Sequence, residues 1–189
     1  ISIESNKLKN ISTIGCIGNL HFIKGQDIAL NAFKRICQEN NGINFYFAGK
    51  AHDDFGNKII KDINKANDNI KYLSYCKNVM ELLNNTDILV VPSRTEMFPR
   101  IVLEGLYCGC IVVASDVGGI PDMIKDNYNG YLFNVNNKNA LYDIINNILK
   151  SDIQKNYKIR LNAKASYKDK FSQQKQKEKL KNIIQSILK

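Results

Sequence analysis

Two short runs of branched apolar residues constrain this chain more than any other feature. Asp87-Ile88-Leu89-Val90-Val91, stopped by Pro92, and Ile111–Ala114 are too short for helices and too uniformly apolar for strands wetted on one face. Strands of that kind lie in parallel sheets covered on both sides. Between them the spacing becomes helical. Residues 26–39 put Ile28, Ala29, Ala32, Phe33, Ile36 and Cys37 on one face, and 138–149 do the same with Ala140, Leu141, Ile144, Ile145, Ile148 and Leu149. The remaining segments continue the alternation: strands at Ile11–Ile17, Ile43–Ala48, Ile70–Leu73 and 130–133, helices at 54–66, 78–85, 99–108 and 120–125. Alternating β and α of this sort predicts an α/β, Rossmann-like, doubly wound parallel sheet. Such sheets bind ligands beyond the carboxyl ends of their strands, which directs attention to the loops after Ile17, Ala48, Leu73, Val91 and Ala114.

The 189 residues, 44% hydrophobic and 24% charged, suffice for one domain with a sizeable core and exclude wholesale disorder. No run approaches a membrane span, and the polar start ISIESNKLKN has no signal-peptide core. That start, at Ile rather than Met, reads as a linker remnant over 1–10 in a trimmed fragment. The net charge of +9 is confined to one end: residues 150–189 carry 12 Lys and Arg against 3 Asp and Glu, while residues 1–149 carry 15 of each. A neutral body with a basic tail disfavours a nucleic-acid-binding domain. Cys16, Cys37, Cys76, Cys108 and Cys110 are odd in number and lack C-x-x-C spacing. They read as small core hydrophobes of a reducing cytosol rather than as a disulfide framework or zinc site.

Three loops carry chemistry. Gly18-Asn19-Leu20-His21-Phe22-Ile23-Lys24-Gly25 joins a strand to a helix. Its lysine can reach a phosphate at the helix start, although the loop is neither G-x-G-x-x-G nor a Walker A sequence. The second loop runs Pro92-Ser93-Arg94-Thr95-Glu96-Met97-Phe98-Pro99-Arg100 and enters an apolar helix containing Glu104. A carboxylate so near the core needs donors, which sugar or ribose hydroxyls would supply. Pro99 suits the first turn of that helix, where no N–H is needed from it, and the helix start points at the mouth of the sheet, where an anion would sit. In the third loop, Ser115-Asp116-Val117-Gly118-Gly119-Ile120-Pro121-Asp122, the glycine pair allows a ligand to approach the backbone closely.

Taken together, the GxxxxxKG loop, the PS-x-x-E-x7-E block, the C-G-x-x-V-V-A-S-D turn and the G-G-I-P-D motif resemble the C-terminal domain of retaining glycosyltransferases of the GT-B fold, family 4. The resemblance covers about residues 11–189. It implies one half of a two-domain enzyme that binds a nucleotide-sugar donor, with the acceptor and any acid/base group on an N-terminal domain. It implies that Lys24 holds the donor diphosphate, Glu96 the hydroxyls of the transferred sugar and Glu104 the ribose. Gly18 and Asn19, with the main chain of Met97, Phe98 and Pro99, would meet phosphate and sugar, and Ser74-Tyr75-Cys76-Lys77 would frame the base. Three departures stand out: Asn19 replaces a usual arginine, Met97 and Pro99 replace glycines, and Asp122 replaces a commoner Glu. Arg100 is the candidate for the missing phosphate cation.

The chain contains no D-x-D motif, so no metal or other cofactor is expected beyond the donor, for which a UDP-sugar is favoured. His21 and His52 read as solvated loop residues rather than bases. Epimerases and phosphorylases of the same architecture remain as alternatives, although the paired glutamates favour transfer. A second alternative starts from the tail, where Leu180, Ile183, Ile184, Ile187 and Leu188 recur at helical spacing among lysines. Residues 171–189 are therefore expected as an amphipathic helix crossing to the N-terminal domain, or else lying on an anionic membrane or nucleic acid. The setting expected is cytoplasmic, with room for peripheral contact at the inner face of the membrane.

Overall fold

The computed structural model describes residues 10–40 and 42–187. Among them, six parallel strands form one sheet in the order β3-β2-β1-β4-β5-β6. In chain order they are β1 (Thr13–Ile17), β2 (Asn44–Ala48), β3 (Ile70–Tyr72), β4 (Ile88–Val91), β5 (Ile111–Ser115) and β6 (Tyr131–Phe133). The helices are α1 (Gln26–Glu39), α2 (Asp54–Asn64), α3 (Val79–Asn84), α4 (Arg100–Cys108), α5 (Ile120–Met123), α6 (Ala140–Lys150), α7 (Ile153–Ser166) and α8 (Gln173–Ile187). The predicted doubly wound sheet is present, with element ends shifted by up to two residues. The linker expected at 1–10 and the last two residues of the tail helix lie outside the described residues, Asn10 excepted.

The sheet is covered on both faces, which is why its central strands lack polar alternation. Ile88 and Val90 of β4 join a core with Phe33 of α1, Ile63 of α2 and Ile145 of α6. Leu89 and Val91 face the other way, onto Val102 and Leu106 of α4. Winding runs outward from β1 through β2 to β3, and in the opposite direction from β4 through β5 to β6. The reversal between β1 and β4 opens a crevice at their carboxyl ends, where loops diverge rather than cross.

Helix α7 is the element the sequence pattern does not disclose. It has no apolar stripe, because its inward face includes Asn156 and Arg160, both buried. Asn156 Nδ2 donates to the Ile148 carbonyl at 3.0 Å. Arg160 Nη2 donates to Asp87 Oδ1 at 3.0 Å, and its Nη1 to the Gly109 carbonyl at 3.3 Å. The other oxygen of Asp87 accepts from the N–H groups of Ser12 and Thr13 at 2.9 and 3.1 Å. One buried carboxylate thus ties the start of β1, the start of β4 and α7 together. A π-helical turn, Tyr167–Phe171, follows α7 and ends at extended Ser172, after which α8 begins. Leu180, Ile183 and Ile184 of α8 are all exposed.

Candidate functional site

The loop after β1 does not run loosely into α1. Phe22–Lys24 forms a turn of 3-10 helix, and His21 caps it, its Nδ1 accepting from the Ile23 N–H at 3.3 Å. His21 Nε2 therefore carries the hydrogen and points it at Asp53 Oδ2, 3.3 Å away. Asp53 in turn caps α2, its Oδ1 accepting from the Gly56 N–H at 2.7 Å. Both ring nitrogens of His21 thus have partners, while its side chain stays 49% exposed.

The turn ends at Gly25, whose φ of +69° begins α1. A Cβ there would lie 1.9 Å from the Pro92 carbonyl oxygen. Glycine thus lets the first loop press against the loop after β4, and Lys24 Nζ meets the Glu96 carboxylate in an ion pair across the junction. Glu96 is well sheltered, its side chain 12% exposed against 37% for Lys24. Ser93 Oγ donates to the same Glu96 oxygen at 3.1 Å, while buried Ser115 Oγ donates to the Ser93 carbonyl at 2.6 Å. The carboxylate is held from β4 and, through Ser93, from β5.

The third loop completes this arrangement. The glycine pair allows close contact with protein main chain. Cβ atoms at Gly118 and Gly119 would lie 1.6 Å from the Glu96 carbonyl oxygen and 2.1 Å from that of Met97. The pair is a seat for the Glu96–Met97 main chain.

Above these contacts lies a cleft of about 440 Å³, lined by Asn19, Leu20, His21, Ile23, Lys24, His52, Thr95, Glu96 and Met97. Of the sequence candidates, Asn19, Lys24, Glu96 and Met97 therefore meet in one place. Gly18, Tyr75, Cys76, Phe98, Pro99, Arg100 and Glu104 are not on its walls. Gly18 is tied to β2, its N–H donating to the Ala48 carbonyl at 2.8 Å. Tyr75 is 56% exposed, with Lys50 Nζ 4.6 Å from its ring centre. Cys76 beside it is half-buried, whereas the other four cysteines are buried. Burial pushes the Cys16 thiol up to about 12 and raises Cys37 as well.

Several sequence candidates stand on or beside α4. The Arg100 side chain is 89% exposed and stands 3.5 Å from Glu104, one turn along the same helix. Glu104 is half-buried, its side chain 29% exposed, on the helix whose buried residues are Val102, Gly105, Leu106 and Cys108. Pro99 is the N-cap rather than the first helical residue, with ψ of 112° and its carbonyl accepting from the Val102 N–H at 3.1 Å. Phe98 is half exposed and packs against Phe171 of the π-helical turn, ring centres 6.1 Å apart.

Arg94 and Asp27 are the pair the sequence reading overlooked. Arg94 Nη1 and Nη2 donate to the Asp27 carboxylate at 2.9 and 2.6 Å. Arg94 lies within the recognised block, but nothing in sequence links it to a residue so far back. Among the described residues no three His, Cys, Asp or Glu side chains gather as a metal site, and no helix is long and apolar enough to cross a membrane.

A family model described as glycosyl transferases group 1 matches residues 2–166. An uncharacterized glycosyltransferase of Methanocaldococcus jannaschii is 33% identical over 130 residues, which cover 66% of this chain and 35% of that protein. The chain spans about a quarter to a third of the curated relatives it matches. Anabaena HepE, solved in complex with UDP, superposes with a TM-score of 0.84 at 24% identity, over 97% of this chain and 51% of its own. The C-terminal domain of a group 1 glycosyl transferase from Francisella tularensis superposes with a TM-score of 0.78 at 23% identity, over 90% of this chain and 91% of its own.

Proposed function

The chain belongs to the group 1 glycosyl transferases, and from that premise we propose that its switch-point cleft binds a nucleoside-diphosphate sugar, a UDP-sugar first, for transfer with retention of configuration and without a metal. The observation that carries this reading is the Lys24–Glu96 ion pair at the cleft wall. Across the cleft wall each charge satisfies the other. A bound donor would divide them, its diphosphate taking the ammonium and its sugar hydroxyls the carboxylate. HepE, of the same fold, is described in complex with UDP and with UDP-glucose, which supports uridine.

Transfer breaks the bond between the sugar's anomeric carbon and the diphosphate oxygen. An acceptor hydroxyl bonds to that carbon from the same face, and its proton leaves on the departing phosphate. Lys24 and the N-terminus of α4 would carry the charge that grows on the diphosphate, acting where the charge develops. Glu96 would hold the sugar more tightly as it gains positive character. Glu104 would exchange its 3.5 Å contact with Arg100 for the ribose hydroxyls. The acceptor would come from a part of the enzyme outside this chain, and the exposed face of α8 would pack there. Binding of the chain to anionic vesicles would instead support the membrane reading of α8.

The two glutamates provide the test. Glu104→Gln should weaken UDP and UDP-sugar alike, by about 1–3 kcal/mol for a lost ionic hydrogen bond. Glu96→Gln should weaken the UDP-sugar and leave UDP within about twofold, well under 1 kcal/mol. Loss of plain UDP binding in Glu96→Gln would overturn the assignment of the two carboxylates.

A further inference from the structure

The Lys24–Glu96 pair joins two loops that have no covalent reason to stay together, and one side chain spans both. Arg94 sits two residues before Glu96. Its guanidinium makes the fork-to-fork contact with Asp27 in the first turn of α1, at 2.9 and 2.6 Å. The same Nη1 donates to the Phe22 carbonyl at 2.7 Å, and the guanidinium carbon lies 4.0 Å from the Phe22 ring centre. Its main-chain N–H donates to the Ile23 carbonyl at 2.7 Å. Arg94 therefore holds the residues on both sides of Lys24: Phe22 and Ile23 before it, and Asp27 after it. It does not line the cleft. Its side chain is 27% exposed and Asp27's 34%, so the contact is only partly shielded from water.

We propose that Arg94, locked on Asp27, is a positioning residue that sets the ammonium of Lys24 against the carboxylate of Glu96 before the donor arrives. The donor then meets two charges already at the spacing it needs, and the loops are not ordered at its expense. A guanidinium is required because a lysine ammonium cannot match both Asp27 oxygens and cover the Phe22 face together. This inference rests on the donor-binding reading only for its consequence; the brace itself can be observed without a ligand.

The test uses the 189-residue chain with its lysines carrying 13C-dimethyl labels. The Lys24 resonance, assigned by its absence from Lys24→Arg, reports the ion pair. Glu96→Gln gives the unpaired reference. Arg94→Ala should move the Lys24 resonance most of the way to that reference, Arg94→Lys should fail to restore it, and Asp27→Asn should move it part of the way with a smaller change in fold stability. In calorimetry, Arg94→Ala should weaken the UDP-sugar about tenfold, but by less than about twofold when Lys24→Ala is already present, as coupled residues do. A merely structural arginine would cost the same in both backgrounds. A Lys24 resonance unmoved in Arg94→Ala and Asp27→Asn, or an equal loss of UDP-sugar affinity with and without Lys24, would overturn the proposal. If the resonance moves while Lys24→Ala binds UDP as before, the brace stands and the donor reading falls.

Discussion

Gly118→Ala is a one-carbon change directly behind the cleft wall, and it should disable the site. Gly118 adopts φ +53°, where a residue with a Cβ costs about 1–2 kcal/mol more than glycine. The added carbon would lie 1.6 Å from the Glu96 carbonyl oxygen, about 1.8 Å short of an ordinary 3.4 Å contact. That atom belongs to main chain, so the loop itself must move, adding about 1–3 kcal/mol of overpacking. About 3 kcal/mol in total should lower Tm by roughly 6–12 °C in a domain of this size. The displaced segment carries Glu96 away from Lys24, and an error of that size in a positioned group costs about a hundredfold. Gly42→Ala is the control, since nothing lies within 4 Å of its Cβ. Thermal melts and calorimetry with the UDP-sugar that binds best in a panel read both effects. The reasoning is refuted if Gly118→Ala melts within about 1 °C of Gly42→Ala, a few tenths of a kcal/mol, and binds that sugar as the parent does.

Two further predictions concern the core beneath the site. Arg160→Met leaves Asp87 buried without its cation, since the two side chains are 3% and 2% exposed; it should cost about 3–5 kcal/mol in urea melts, and Asp87→Asn with Arg160→Met together should cost less than the single change. The Cys16 thiol, raised by burial from 9.0 to about 12, holds its proton in the folded chain where the unfolded chain releases it. Stability should therefore be full below pH 9, fall as pH rises toward 12 by up to about 1.4 kcal/mol per unit, and fall less steeply in Cys16→Ala, as alkaline melts will read.

What the sequence discloses divides along physical lines. Runs such as Ile88–Val91 are legible because burial on two faces leaves a composition no other environment produces. Helix α7 is hidden because Asn156 and Arg160 face inward, and a buried polar residue reads as an exposed one until its partner is known. Lys24 and Glu96 are legible as loop residues after strands, but their pairing depends on β1 and β4 being neighbours, a matter of strand order that no local pattern carries. The same applies to Arg94 and Asp27. The glycine pair was visible as a requirement for close approach; that the approaching group is the Glu96–Met97 main chain follows only from the adjacency of β4 and β5.

In the proposed function Lys24 presents its charge to a nucleoside diphosphate without help from a metal. Titration calorimetry of UDP into the chain and into Lys24→Ala, both in excess EDTA, tests it most directly. The parent chain should bind saturably, more weakly in added salt as charge pairing is screened, and Lys24→Ala at least about tenfold more weakly, the loss of one charge-assisted contact. Binding that disappears in EDTA, or equal affinity in the two proteins, would contradict it.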